Sequence, residues 1–310
     1  MRAAASYYYV CELGCESSVF TDCGNGKWVG NPCNSTFVKR YMRSLKRQKV
    51  RDGETQESVR AITSRKLEEL LRFNANFPRF ASIQRNPDTP HGRTWAGWRQ
   101  RLMMSLMYAI SFMCLLRLDE VLNIKVGNFR IHAEDKGKLE LVLDFRKTHQ
   151  TGEVEPFFLY FTEKEPWLNV PALLYEWLEV SGITEGYIFC SFFTSDQPKL
   201  TLDKTKKLHS TVFLNDFRRN LYEIGEDMWL YGGHSFRRGG AQYFIHNRGW
   251  NIRKLCHYGG WSPEFDSTTI VRYIIGVFDE VGRRREDYLD PDYQGGEECP
   301  HCGRTCDHLM

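Results

Sequence analysis

The chain has 310 residues, 42% hydrophobic and 14% aromatic, enough apolar side chain for one large core or two medium ones. Its formal net charge of +3 neither requires nor excludes a polyanionic partner, so the placement of the charges decides. The most apolar stretch, 102–116, is flanked by Arg99, Arg101 and Arg117 and is shorter than a bilayer span requires, which excludes a membrane-spanning role for it.

Residues 1–34 show no clean period and read as an irregular leader. They lack the basic, apolar and small-residue order of a signal peptide, so a cytosolic or nuclear protein with mostly reduced cysteines is expected. Cys11 and Cys15 have zinc-ligand spacing but Cys23 and Cys33 do not, and a leader is the preferred reading. Asn34 or Ser35 caps a helix whose apolar positions are Phe37, Val38, Tyr41, Met42 and Leu45. Its other face carries Lys39, Arg40, Arg43, Lys46 and Arg47, with no acid before Asp52. A solvated face usually mixes signs, so this one-sign run reads as a phosphate-binding surface. Residues 52–60 are polar and read as a linker. Thr63 or Ser64 then opens a helix through Leu67, Leu70, Leu71 and Phe73.

Residues 74–98 read as a loop, followed by a long buried helix over 98–116 and a charged amphipathic turn over 117–126. The stretch 139–146 alternates as a strand, 154–161 reads as its partner, and 147–153 connects them as a hairpin. Pro166, Pro171 and the run 172–180 predict a capped helix; 182–208 reads as loop-rich; 212–224 is helical. A helix through Phe236, Ala241, Phe244 and Ile245 ends near Gly249. A short helix at 252–257, a Gly259-Gly260 turn and a last helix over 268–278 follow. The expected class is mainly α with a small antiparallel sheet (α+β), not a parallel α/β sheet.

The segment Gly233-His234-Ser235-Phe236-Arg237-Arg238-Gly239-Gly240 carries the most specific chemistry. Its His234 and Arg237 stand three residues apart at a helix start, where they share one face beside an anion-favouring terminus. A guanidinium can bind two phosphate oxygens at once, and an imidazole can move a proton. Alone, such a pair is common. Each further residue also has a bland reading: Arg117 as a helix end paired with Glu120, Lys147 as a solvated hairpin charge, Trp261 as core packing.

The ordered set changes the weighting. Leu116-Arg117-Leu118-Asp119-Glu120, the hairpin Lys147, His234-x-x-Arg237, Gly260-Trp261 and finally Tyr273 resemble the tyrosine recombinases, or phage-type integrases, over about residues 35–285. The resemblance implies that family's catalytic-domain fold and a catalytic set of Arg117, Lys147, His234, Arg237, Trp261 and Tyr273, with Glu120 supporting. It further implies strand cleavage through a 3′-phosphotyrosine made by Tyr273, with no cofactor and no nucleotide. Double-stranded DNA is the implied partner, and a tetramer on DNA the implied assembly. Tyr288 is the alternative nucleophile, disfavoured because it follows the Arg-rich run 283–285 and precedes a Pro-containing tail. The stretches 145–150 and 234–240 are closest in look to transposon-derived, Crypton-like recombinases of fungi, which implies a nuclear protein acting on mobile DNA.

Two departures accompany the match. The interval from Trp261 to Tyr273 is longer than the family pattern by about three residues, in the region of Pro263, Glu264, Phe265 and Asp266. Of the family's N-terminal core-binding domain, only a last helix and linker are recognisable. The expected layout is a leader (1–34), a core-binding remnant with linker (35–60), a catalytic domain (61–290) and a Cys-rich tail (291–310). The tail's Cys299, Cys302, Cys306 and His308 are suitable zinc ligands by type, but their spacing matches no standard site and no metal is assigned. A non-cutting DNA-binding derivative and a type IB topoisomerase-like activity are the competing readings.

Overall fold

The computed structural model describes residues 2–16, 18–51, 59–79, 96–132, 138–144, 146, 154–192, 202–261 and 269–274. The chain divides into two compact units, Met1–Glu57 and Ser58–Met310.

In the first unit, α1 (Arg2–Cys11) leads to a two-stranded antiparallel ribbon of β1 (Thr21–Asp22) and β2 (Trp28–Val29). The expected irregular leader therefore has structure. Its fully buried Asn31 donates from Nδ2 to both Ser6 O (3.1 Å) and Ser6 Oγ (2.8 Å), tying the far side of the ribbon to α1. No clean apolar period announces α1 because Tyr7 and Tyr8 are exposed. Next comes α2 (Thr36–Arg51), at the place its periodicity predicts. The Ser35 hydroxyl accepts from the Val38 N–H and closes its first turn. Both the basic residues Arg40 and Arg43 and the apolar residues Phe37, Tyr41 and Met42 are exposed.

The second unit is built around one helix. Its first element, α3 (Ser64–Ala75), starts at the predicted cap, the Thr63 hydroxyl accepting from the Lys66 N–H. Next, α4 (Trp98–Met113) is buried over nearly its whole length, as its continuous apolar sequence requires. Two of its polar side chains pair with carboxylates from later in the chain. Arg101 makes a two-pronged bond to Glu223 at 2.6 and 2.7 Å, and Gln100 donates to Asp216 at 2.7 Å. A short α5 (Leu118–Leu122) follows. The strands β3 (Phe129–Ile131), β4 (Lys138–Leu141) and β5 (Phe157–Tyr160) then form an antiparallel sheet in that order. The predicted β4–β5 pairing is present, with Leu139 opposite Leu159. Both strands are shorter than their alternating stretches, and β3 is an additional partner that the sequence reading did not include.

Beyond the sheet lie α6 (Val170–Ser181), the ribbon β6 (Cys190–Phe192) and β7 (Leu202–Lys207), and α7 (Ser210–Glu223). That ribbon occupies part of the stretch expected to be loop. The unit continues with α8 (Ser235–His246), α9 (Ile252–Gly259) and α10 (Thr269–Ile274), each within or close to its expected range. Residues 275–278 of the last expected helix, like the Cys-rich tail, lie outside the described residues. The class is mainly helical with small antiparallel sheets, as expected.

Two contacts seat α8. Gly240 lets it press on α4: a Cβ there would stand 2.1 Å from the Phe112 carbonyl oxygen. Phe236 enters an aromatic cluster, stacking on Tyr108 (4.7 Å between centroids) and tilting against Phe217 (4.6 Å). The end of the expected linker is also tied into this unit. The Arg60 N–H donates to Leu230 O at 2.6 Å, and Arg238 donates to Val59 O at 2.6 Å.

Candidate active site

The core contacts of Phe236 fix the first turn of α8, and with it the residues on either side. His234 is the N-cap position of that helix and stands exposed at its mouth. Arg237, one turn in, is fully buried. Its guanidinium donates to two backbone carbonyls, Leu115 O through Nη1 and Gly259 O through Nη2 (2.9 Å). Leu115 presents its carbonyl from a left-handed backbone, φ +50°, which an L side chain adopts only under constraint. Burial and the Arg117 charge draw the Arg237 guanidinium down to about 9, so it keeps its proton at neutral pH.

Arg117 follows directly from that turn and is the N-cap of α5. Glu120, at the third helical position, accepts from the Arg117 N–H (2.8 Å) and from Arg117 Nη1 (2.9 Å). The bland reading of this pair is thus realised, but it is not the whole arrangement. Glu120 Oε2 also lies 3.9 Å from Arg237 Nη1, so one buried carboxylate serves two guanidinium groups. Burial pushes that carboxyl up. The Arg117 N–H and the charges of Arg146, Arg237 and Arg117 outweigh it and hold the group below the usual 4.5. Three guanidinium groups around one carboxylate leave the cluster electropositive, the condition for holding an anion.

Trp261 follows the end of α9. Gly260, at φ +67°, caps the helix, and the Trp261 N–H donates to Cys256 O at 2.9 Å. The indole folds back over Gly259, where a Cβ would meet ring carbon Cζ3 at 1.8 Å, so only glycine fits beneath it. The Arg237 guanidinium carbon lies 4.2 Å from the indole centroid. Trp261 Nε1 is buried and has no hydrogen-bond partner among the described residues.

Tyr273 sits on α10, which is tied to α8 through Gln242 Nε2 donating to Ile274 O at 3.1 Å. Its ring centroid is 5.2 Å from that of Trp261, inclined by 60°. The Arg237 guanidinium carbon is 5.6 Å from the same phenol ring. The phenol oxygen lies 3.3 Å from His234 Nδ1. Lost hydration, followed by the charges of Arg237, Arg117 and Arg238, lowers His234 below 6.5. The imidazole is therefore mainly neutral at pH 7 and able to accept a proton.

Arg117, Glu120, His234, Arg237, Trp261 and Tyr273 are thus joined by direct contacts running from α5 to α10. Lys147 lies outside the described residues, as do Tyr288 and the tail residues Cys299, Cys302, Cys306 and His308. Of the basic face on α2, Lys39 is half-buried and Arg40 and Arg43 are exposed; the side chains of Lys46 and Arg47 are outside the description. Among the described residues, no group of three or more His, Cys, Asp or Glu is placed to hold a metal. Arg146, the residue before Lys147, belongs to the site although its sequence position alone does not mark it out. It is buried and donates to Tyr258 O (3.3 Å) and Gly259 O (2.9 Å). The signal available in the sequence was its position next to Lys147, on the strand side of the hairpin.

No family model and no curated protein matches the chain. Among solved structures, it is similar to the XerH site-specific recombinase bound to difH substrate in a pre-cleavage complex (15% identity, TM-score 0.48, 70% of this chain and 50% of that one). It is also similar to a lambda integrase tetramer bound to a Holliday junction (13% identity, TM-score 0.43, 80% and 61%). A third similarity is to the Tn1549 transposon integrase (residues 82–397) in complex with circular intermediate DNA (12% identity, TM-score 0.39, 77% and 74%). The chain spans about half the length of the XerH structures it matches. Likenesses this distant decide nothing about chemistry, which has to be argued from the side chains themselves.

Proposed function

We propose that the chain is a tyrosine recombinase, cleaving and rejoining DNA strands through a 3′-phosphotyrosine at Tyr273. The observation that carries this reading is the placement of the Tyr273 hydroxyl, 3.3 Å from His234 Nδ1, on a phenol ring packed against Trp261 and Arg237. A phenol beside a neutral base and a guanidinium cluster is set up for in-line attack on a phosphodiester.

In the proposed reaction Tyr273 Oη bonds to phosphorus as its proton passes to His234. The P–O5′ bond breaks, and the 5′-oxygen takes a proton. Lys147 is assigned the acid's role from its place in the sequence pattern. Arg117 and Arg237 balance the charge that builds on the non-bridging oxygens, and the Trp261 N–H, which cannot titrate, donates to one of them. The ester conserves the bond energy, so attack by a 5′-hydroxyl reverses the step without a nucleotide cofactor.

The same reading makes double-stranded DNA the substrate, with the basic face of α2 (Lys39, Arg40, Arg43, Lys46 and Arg47) as a backbone contact. It also includes a tetramer on DNA, a nuclear location and an origin in a Crypton-like mobile element; these rest on the sequence resemblance.

A nicked suicide duplex tests the reaction. The duplex is drawn from a randomised pool enriched by binding to the protein, and the nick lets the short 5′ fragment diffuse away so that the ester accumulates. A covalent protein–DNA product that Tyr273→Phe abolishes is expected. DNA binding without any adduct would favour a non-cutting derivative, whereas relaxation of supercoils without site preference would favour topoisomerase-like activity.

A further inference from the structure

The Gly259 carbonyl is shared by two guanidinium groups, and only one of them belongs to the catalytic pattern. Arg237 Nη2 and Arg146 Nη2 both donate to it at 2.9 Å. The reason lies in how α9 ends. The cap at Gly260 and the Trp261 N–H satisfy the carbonyls of Cys256 and His257, leaving those of Tyr258 and Gly259 as the open acceptors of the last turn. Arg146 takes both, one through each terminal nitrogen. Its guanidinium also faces the Phe157 ring of β5 at 5.3 Å. A buried cation beside Arg117 and Arg237 is unfavourable unless something requires it, and a surface lysine or water would satisfy a helix end at less cost. The nearby Glu120 carboxylate offsets the repulsion.

We infer that Arg146 is a positioning residue for phosphate capture: by holding the carbonyl end of α9, it sets the angle at which Arg237 and Trp261 meet the scissile phosphate. The inference rests on the recombinase reading. Arg146 itself does not touch the reacting atoms in this assignment. It acts through the Gly259 carbonyl, which orients Arg237, and through the peptide that launches the Trp261 indole. The rigid planar fork gives each carbonyl its own donor at a fixed angle, which a lysine ammonium on a flexible stem does not, so lysine is not an equivalent replacement.

The experiment compares the parent protein, Arg146→Ala and Arg146→Lys in single-turnover formation of the covalent product at saturating DNA. The same nicked duplex is used twice, once with an ordinary scissile phosphodiester and once with a methylphosphonate there. The methyl group replaces a charged non-bridging oxygen and so removes the charge that Arg237 balances. On the phosphodiester, Arg146→Ala should be slower by on the order of 10-fold or more, a fraction of the loss from deleting a direct charge-stabilising donor. Arg146→Lys should show a smaller deficit in the same direction, and DNA affinity should be little changed for both. On the methylphosphonate most of the deficit should vanish, because misdirecting Arg237 no longer matters.

An equal deficit on both substrates would overturn the inference and make Arg146 a structural cap only. If Arg146→Ala does not fold, Arg146→Lys carries the comparison, and parent-like rates for it on the phosphodiester would also overturn the inference. A parent protein that binds DNA but forms no adduct with either substrate would overturn the recombinase reading, and this inference with it. A cleaving parent confines any failure to Arg146.

Discussion

The guanidinium carbon of Arg237 lies 4.2 Å from the centroid of the Trp261 indole, and both side chains are buried. On the proposed reading, this contact holds in the site a hydrogen-bond donor that cannot titrate. The ring offsets part of the cost of burying the cation, and among the described residues its N–H has no partner. Trp261→Ala should lower unfolding free energy by about 3 kcal/mol, read from urea denaturation. Trp261→Phe keeps a ring over Gly259 but has no N–H. It should retain most of the stability while the covalent step slows by on the order of 10-fold. Unchanged cleavage by Trp261→Phe would mean that Nε1 makes no phosphate contact.

The covalent step should depend on His234 ionisation. Lost hydration and three neighbouring guanidinium groups lower this imidazole below 6.5, so the base form is present at neutral pH and disappears only in moderately acidic solution. The single-turnover rate should therefore be flat near pH 7 and fall as the pH drops below the ordinary histidine value. His234→Gln should remove that acidic limb and slow the reaction throughout. The stability linkage has the same direction. The unfolded chain takes up the proton first as pH falls through 6.5, so folding weakens below that value. A His234→Gln protein retaining the full acidic limb would rule out this assignment.

Glu120 should matter for stability more than its size suggests. Its side chain is nearly fully buried and faces Arg117, Arg237 and Arg146. Glu120→Gln keeps the shape but leaves those cations without a counter-charge, and should cost about 3 kcal/mol at neutral pH. The carboxyl is held below 4.5, so its contribution is present above that value and is lost as pH falls through the lowered one. Parent and variant should accordingly converge in acid denaturation profiles. A constant gap between them down to strongly acidic pH would contradict the charge argument.

Gly240→Ala tests the seat of α8. The added methyl would stand 2.1 Å from Phe112 O and 2.7 Å from Leu115 Cδ2, so helix and turn must part. A loss of about 2 kcal/mol or more is expected in thermal or urea unfolding. The turn at Leu115 also holds Arg237, and cleavage by the folded fraction should fall as well. Normal stability in this variant would show that α8 and α4 can separate freely.

Much of the helical framework was legible because each helix combines an apolar period with a visible boundary. Thr63 and Asn251 cap as their residue types suggest, each accepting a backbone N–H from its first turn. The strands were harder to read. β3 is three residues long and β7 reads Leu-Asp-Lys-Thr-Lys-Lys with mostly exposed side chains, so neither shows the alternation that marks a half-buried strand. In the site, the order of Arg117, His234, Arg237, Trp261 and Tyr273 was readable, but their contacts depend on the end of α9 and the turn at Leu115. Arg146 was missed for the same reason. Its partners are 112 and 113 residues away, and nothing local distinguishes a buried guanidinium from a solvated one.

The tail of α4 receives two ties from later in the chain: Arg237 donates to Leu115 O, and Tyr258 Oη donates to Met113 O at 3.0 Å. Because α4 is buried over nearly its whole length, these anchors should not yield before the surrounding core does. Heating should therefore extinguish strand cleavage in the same sigmoid that reports loss of the whole unit, with no earlier, gentler fading of activity.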